Sequence, residues 1–303
     1  MTDLLAELLA TRDVVLLDGA TGTELERRGF ATSLPLWTAD AALHAPDLLR
    51  QVHLDYLRAG ADVVIANTFR TTPYTLRQVG READAVALTT QSVALAREAC
   101  QVAGHGVVAG CMAPLEDCYH PERVPPPEVM HREHAAHAST LAAAGADLLL
   151  VETMGTAREA HAAARAALGT GLPVLVGFIL DPHGDGDLLS NEKLEVALAQ
   201  VLDLAVGSAQ VAGFLVNCTP RTVAAAALLR MQNVGDPRPL GAYANLGEPG
   251  SQRGWKDDPT GTPAAYAAWA RTCRALGARF LGGCCGTTPA HLAAVAAALR
   301  GAS

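Results

Sequence analysis

The chain has 303 residues, of which 50% are hydrophobic, with a formal net charge of −8 and seven cysteines. A chain of this size can bury a full core. Its mild acidity and the absence of any block of like charge argue against nucleic acid or an anionic membrane as the main partner.

The opening Met1–Ala10 carries no basic leader, and Asp3 and Glu7 interrupt its apolar run, so it reads as a short amphipathic helix rather than a signal segment. Eight short apolar runs follow, each leading toward a longer helical pattern. The first is Val14–Asp18, ending in Gly19-Ala-Thr-Gly-Thr, with a helix over Pro46–Ala59. The second is Asp62–Thr68, with a helix from about Glu82 to Val102. The third is Gly106–Cys111. After it a proline-rich loop leads to a helix over Glu128–Ala144. The fourth is Asp147–Thr153, followed by a helix over Ala157–Leu168. The fifth is Pro173–Leu180, with a helix starting near Asn191. The sixth is Gly213–Cys218, with a helix over Arg221–Met231. The seventh is Leu240–Asn245, with a helix over Pro263–Leu276. The eighth is Arg279–Gly283, and the helix Pro289–Leu299 comes last.

Continuous apolar strands alternating with helices mean a parallel sheet covered by helices. Eight such units fit a single closed (β/α)8 barrel domain over residues 1–303, with a doubly wound open sheet as the alternative. No apolar stretch approaches the roughly 20 residues that cross a bilayer. Seven cysteines without a secretion signal are poor ground for a disulfide framework, so a reduced, cytoplasmic protein is expected.

In a (β/α)8 barrel the active site lies at the C-terminal ends of the strands. The polar residues there are Asp18, Asn67, Thr68, Cys111, Glu152, Asn217, Cys218, Asn245, Cys284 and Cys285. Cys284 and Cys285 stand between glycines in Phe280-Leu-Gly-Gly-Cys-Cys-Gly-Thr-Thr-Pro289, and Cys218 ends the sixth run. Thiolates are soft ligands that favour zinc, and three protein ligands leave a tetrahedral ion one open position. A lone cysteine is more often a small buried hydrophobe. The adjacent pair at a barrel mouth points instead to a zinc site on Cys218, Cys284 and Cys285. Thr288-Pro289 reads as a helix N-cap with proline at the first position.

Asp18 and Glu152 end the first and fourth strands and form a pair able to hold a substrate ammonium group, unless each serves a turn or cap. Trp37 either packs or lies over a cationic substrate. His131, His134 and His137 share one helix face, for which a solvated surface is the favoured reading. Asp181–Asp187 reads as a plain turn rather than a calcium loop.

Five stretches together resemble the homocysteine S-methyltransferase family: Leu17–Gly29, Ala66-Asn-Thr-Phe69, Val151-Glu-Thr153, Val216-Asn-Cys218 and Gly282-Gly-Cys-Cys-Gly286. The resemblance implies a (β/α)8 barrel with one zinc ion on Cys218, Cys284 and Cys285. It implies that Asp18 and Glu152 hold the homocysteine amino group, with Thr68 nearby. With the residue-level candidates Gly19, Trp37 and Asn217 added, the candidate substrate-binding set is Asp18, Gly19, Trp37, Thr68, Glu152 and Asn217. The expected reaction transfers a methyl group from a small donor to homocysteine, giving methionine. The chain's size is similar to that of members using S-methylmethionine, which makes that the favoured donor. Betaine or another thiol acceptor stays open. So do a zinc-dependent hydrolase or deaminase and a zinc-buffering or redox-sensing protein.

Overall fold

The computed structural model describes residues 3–206, 209–249, 255–256 and 258–301. Met1 and Thr2, read from the sequence as part of the opening helix, lie outside the described residues. Eight parallel strands run in the order β1-β8-β7-β6-β5-β4-β3-β2, where β1 is Val15–Leu16, β2 Val63–Ile65, β3 Val107–Met112, β4 Leu148–Met154, β5 Val174–Phe178, β6 Val211–Pro220, β7 Leu240–Asn245 and β8 Ala278–Gly283. A parallel bridge between Leu17 and Val63 joins the two ends of that order, so the sheet curls into a barrel. The open-sheet alternative is thereby set aside.

The strand sequences explain the two packing layers. Alternate residues such as Val15, Leu17, Val63, Ala109, Leu150, Leu215, Tyr243 and Phe280 point inward and fill the barrel. The intervening ones, such as Leu16, Val64, Val108, Leu149, Val176 and Leu281, face the helices. Those helices are alanine-rich on their inner faces: in Ala157–Leu168 the residues Ala157, Ala160, Ala163, Ala164 and Ala167 are all buried. Small side chains let the helices lie close over the strands.

The N-terminal helix Leu4–Thr11 places Leu5 in the interior cluster, with Leu8 and Leu9 against it. Arg279 ties this helix down by donating to the carbonyls of Leu9, Arg12 and Asp13. One end of the barrel is thus plugged, which leaves the C-terminal ends of the strands as its mouth.

Three differences from the sequence reading bear on the site. A helix over Thr21–Arg27 follows β1 directly, its last turn held by ion pairs from Arg27 and Arg28 to buried Glu24. A small antiparallel pair, Glu248–Pro249 with Trp255–Lys256, follows β7. The histidine face is corrected: only His131 is exposed, while His134 and His137 are buried. The helix Pro127–Ala143 turns those two inward, where His137 Nε2 meets the Cys111 carbonyl of β3 at 3.2 Å and His134 Nε2 meets Glu159 of the neighbouring helix Ala157–Leu168 at 3.3 Å. Polar anchoring of a helix to a strand end and to the next helix leaves an i, i+3 pattern that looks like a solvated stripe. Thr288 caps the last helix as expected, in a reciprocal arrangement with His291. Among the described residues no helix is long and apolar enough to cross a membrane.

Candidate metal and substrate site

A cavity of about 1640 Å³ opens at the C-terminal ends of the strands. Three cysteine sulfurs meet in its wall. Cys218 comes from β6 and the other two from the turn just after β8, and their Sγ atoms lie within 4.8 Å of one another. The Cys218 and Cys284 sulfurs lie 2.7 Å apart. Cys218 takes a left-handed backbone, φ 50°, which is costly for a residue with a side chain. Thr153 Oγ1 donates to its sulfur at 3.8 Å.

The cysteine turn is held by backbone bonds. Cys284 N–H donates to the Ala244 carbonyl at 3.0 Å, Leu246 N–H to the Cys285 carbonyl at 2.8 Å and Gly286 N–H to Thr23 at 3.0 Å. A Cβ on Gly283 would meet Thr287 Oγ1 at 2.3 Å and one on Gly282 would meet the Asp18 carbonyl oxygen at 2.9 Å, so this backbone has no room for side chains there.

The thiols compete for charge. Hydrogen bonds from Cys218 and Cys285 hold Cys284 well below the usual thiol range, and the bond with Cys284 pushes Cys218 well above it. A cluster able to keep one of its thiols ionised is what a divalent cation would complete, because the cation favours thiolate at all three. Soft sulfur donors at this spacing, with no fourth histidine, cysteine, aspartate or glutamate gathered among the described residues, fit a zinc ion with one position left for substrate.

Glu152 lines the cavity from β4. Tyr243 Oη donates to its Oε2 at 2.9 Å and Asn217 Nδ2 at 3.2 Å. Burial raises Glu152 to about 7, against the lowering effect of hydrogen bonds from Cys111 and Tyr243. Asn217 is fully buried and does not face the cavity: its amide is spent on Glu152 and Thr153. Asp18 also lies beneath the cavity wall, fully buried. Its Oδ2 accepts from the Ile65 N–H at 2.9 Å, and its Oδ1 has no partner among the described residues. Burial pushes this carboxyl well above its ordinary range. Thr68 is buried too, its hydroxyl bridging the Cys111 carbonyl and N–H.

Gly19 lines the cavity, and a Cβ there would strike the Tyr56 ring at 2.6 Å. Trp37 lines it as well, edge-on to Phe69 with ring centroids 5.9 Å apart. Its backbone has φ 48°, and Gly22 leaves space for the ring: a Cβ on Gly22 would come within 2.1 Å of it.

Of the nine sequence-derived positions, the structure thus gathers Gly19, Trp37, Glu152, Cys218, Cys284 and Cys285 on one cavity and sets Asp18, Thr68 and Asn217 behind them. The sequence reading missed Tyr243, which looks like a core aromatic, and Tyr119. The loop after β3 is pinned by Leu115 N–H to Glu159, Arg70 to the Glu116 carbonyl and Tyr74 to the Glu116 carboxylate. It carries Cys118 and Tyr119 to the cavity.

Comparison with known proteins agrees with this geometry. The family model for homocysteine S-methyltransferase matches residues 15–299. The chain is 35% identical to the homocysteine S-methyltransferase of Escherichia coli, over 97% of each chain. It is 30% identical to the homocysteine S-methyltransferase YbgG of Bacillus subtilis, over 97% of this chain and 96% of the relative. Among solved structures, the metallated form of the E. coli homocysteine methyltransferase MmuM superposes with a TM-score of 0.82 at 32% identity, covering 97% of this chain and 99% of the other.

Proposed function

The chain belongs to the homocysteine S-methyltransferase family, and from that premise we propose that it transfers a methyl group from a small soluble donor, S-methylmethionine before others, to the thiolate of homocysteine, giving methionine. The observation that carries this reading is the trio Cys218, Cys284 and Cys285 in the wall of a cavity wide enough for two amino-acid-sized substrates. When bound by these three sulfurs, zinc supplies an open position for the substrate thiol and lowers its pKa, so that thiolate forms near neutral pH.

The remaining work falls to the protein's own residues. Glu152, oriented by Tyr243 and Asn217, takes the homocysteine ammonium group, and Asp18 offers its unpartnered Oδ1 from below. Gly19 lets the amino acid approach the backbone, and Thr68 fixes the neighbouring strand ends. Trp37, backed by Phe69, faces the donor cation. The thiolate lone pair forms the new S–C bond in line, and the old C–S pair returns to the donor sulfur, which leaves neutral. Loss of that charge weakens its hold on the aromatic wall and releases product. Seven unpaired cysteines suit a reducing, cytoplasmic setting.

A donor screen with homocysteine, following methionine formation, tests this. S-methylmethionine should be turned over faster than S-adenosylmethionine or betaine. Efficient use of betaine alone would overturn the donor assignment, and no methionine from any donor would overturn the activity.

A further inference from the structure

Among the described residues, the lysine and arginine side chains that line the cavity are Arg70, Arg221 and Lys256. Two of them are neutralised within the protein, Arg221 by Asp258 at 3.0 Å and Lys256 by Glu248 at 3.0 Å. Arg70 has no carboxylate partner among the described residues. It is 7% exposed, its Nη1 donates to the Glu116 carbonyl at 2.9 Å, and its Nε has no hydrogen-bond partner there. The Glu116 carboxylate accepts from Tyr74 at 2.7 Å instead. A charge buried without a counter-ion is costly, so its presence in a cavity wall points to an anion that arrives with a ligand.

The surroundings of Arg70 say which ligand. Its guanidinium lies 5.4 Å from the centre of the Phe69 ring. The same ring has Trp37 edge-on to it, with centroids 5.9 Å apart. Trp37, Phe69 and Arg70 therefore form one stretch of cavity wall, with aromatic surface at one end and a positive charge at the other. Homocysteine is held elsewhere, its sulfur at the three cysteines and its ammonium at Glu152. An amino-acid sulfonium carries its charged sulfur and its carboxylate three carbons apart, about 5 Å when extended. That span is comparable to the spacing along this wall.

We propose that Arg70 selects the methyl donor: its guanidinium takes the α-carboxylate of an amino-acid sulfonium whose positive sulfur lies against Trp37. A guanidinium left bare would repel a cationic donor. A carboxylate on the donor's tail removes that repulsion and completes a charge-assisted hydrogen bond, so Arg70 favours donors bearing the anion and disfavours bare cations. The proposal rests on the reading that the donor is a methyl sulfonium bound at this site.

The test uses metal-loaded protein, the variant Arg70→Met, and two donors, S-methylmethionine and its neutral α-carboxamide. In the unaltered protein the KM for the carboxamide should exceed that for S-methylmethionine about tenfold or more, as expected for one lost hydrogen bond between charged groups. Arg70→Met should raise the KM for S-methylmethionine by a similar factor and bring the two donors close together, with metal content and homocysteine affinity as before. An unchanged KM for S-methylmethionine, an equal rise for both donors, or a loss confined to homocysteine overturns the proposal. Should Arg70→Met fail to fold or to hold metal, the unaltered protein decides by itself: equal KM values for the two donors overturn the proposal. Failure of the underlying function would show separately, as no methionine formed from S-methylmethionine by the unaltered protein.

Discussion

Tyr243 Oη and Glu152 Oε2 meet at 2.9 Å across the barrel mouth, joining β7 to β4. The bond favours the ionised carboxylate, while burial opposes it and raises Glu152 to about 7. For a carboxyl whose pKa is raised, the charged form is present above that value and lost as pH falls through it. Affinity for a thiol-free amino-acid analogue of homocysteine should therefore weaken as pH drops from 8 to 6. Tyr243→Phe should move the fall-off to higher pH and weaken binding at pH 7 by about 1–3 kcal/mol. Affinity that is flat over this range, in both proteins, would remove Glu152 from the role of ammonium acceptor.

A second pH effect concerns stability. His53 and His137 are fully buried, and burial lowers each to about 4. The unfolded chain binds protons at these positions below about 6.5 while the folded chain does not, so their contribution to stability is full above that pH and is lost as pH falls toward 4. Each is worth on the order of 3 kcal/mol across that window. Neither ring nitrogen of His53 has a hydrogen-bond partner among the described residues. His53→Leu should flatten the pH dependence of urea unfolding between pH 6.5 and 4 relative to the unaltered protein. An identical slope in both would show that His53 is not held neutral.

Gly22 and Trp37 are in contact through the space the missing Cβ leaves. Gly22→Ala should displace the indole and so reproduce Trp37→Ala. Both should raise the donor KM several-fold, in line with a cation–π contact of roughly 0.5–2 kcal/mol, and leave homocysteine affinity nearly intact. A Gly22→Ala protein with an unaltered donor KM would place the indole outside the donor site.

The cysteines divide by position. Cys218→Ala, Cys284→Ala and Cys285→Ala should each lose most bound zinc and all methyl transfer while keeping the fold, since a core of this size does not depend on one metal. Cys100→Ala and Cys273→Ala, in helices remote from the three sulfurs, should keep metal and activity. Equal losses from all five changes would mean that core cysteines have been mistaken for ligands.

Much of this was legible in the sequence, and the exceptions have physical causes. Apolar runs with helical spacers give the barrel, because strands buried on both faces must be continuously apolar. Glycine-flanked Cys284 and Cys285 announce their chemistry by type and spacing. Tyr243 does not, since a phenol inside a strand reads as core until Glu152 is seen opposite. Asp18, Thr68 and Asn217 were legible as strand-end polar residues, but pattern alone cannot say that they stand behind the cavity wall. His134 and His137 were misread because helical periodicity shows which residues share a face and not what that face meets. The helix Thr21–Arg27 is too short, and Gly22 too poor a helix former, to stand out. Its charged pairs Glu24–Arg27 and Glu24–Arg28 were the available signal.

The central claim is that Cys218, Cys284 and Cys285 hold a metal whose open position takes the homocysteine sulfur. Cobalt-substituted protein, titrated with homocysteine and followed by absorption spectroscopy, tests it most directly. The account predicts an added sulfur-to-cobalt charge-transfer band that saturates at one homocysteine per metal and does not form with methionine. A cobalt spectrum unchanged by homocysteine, or a protein that binds no metal with all three cysteines reduced, would contradict it.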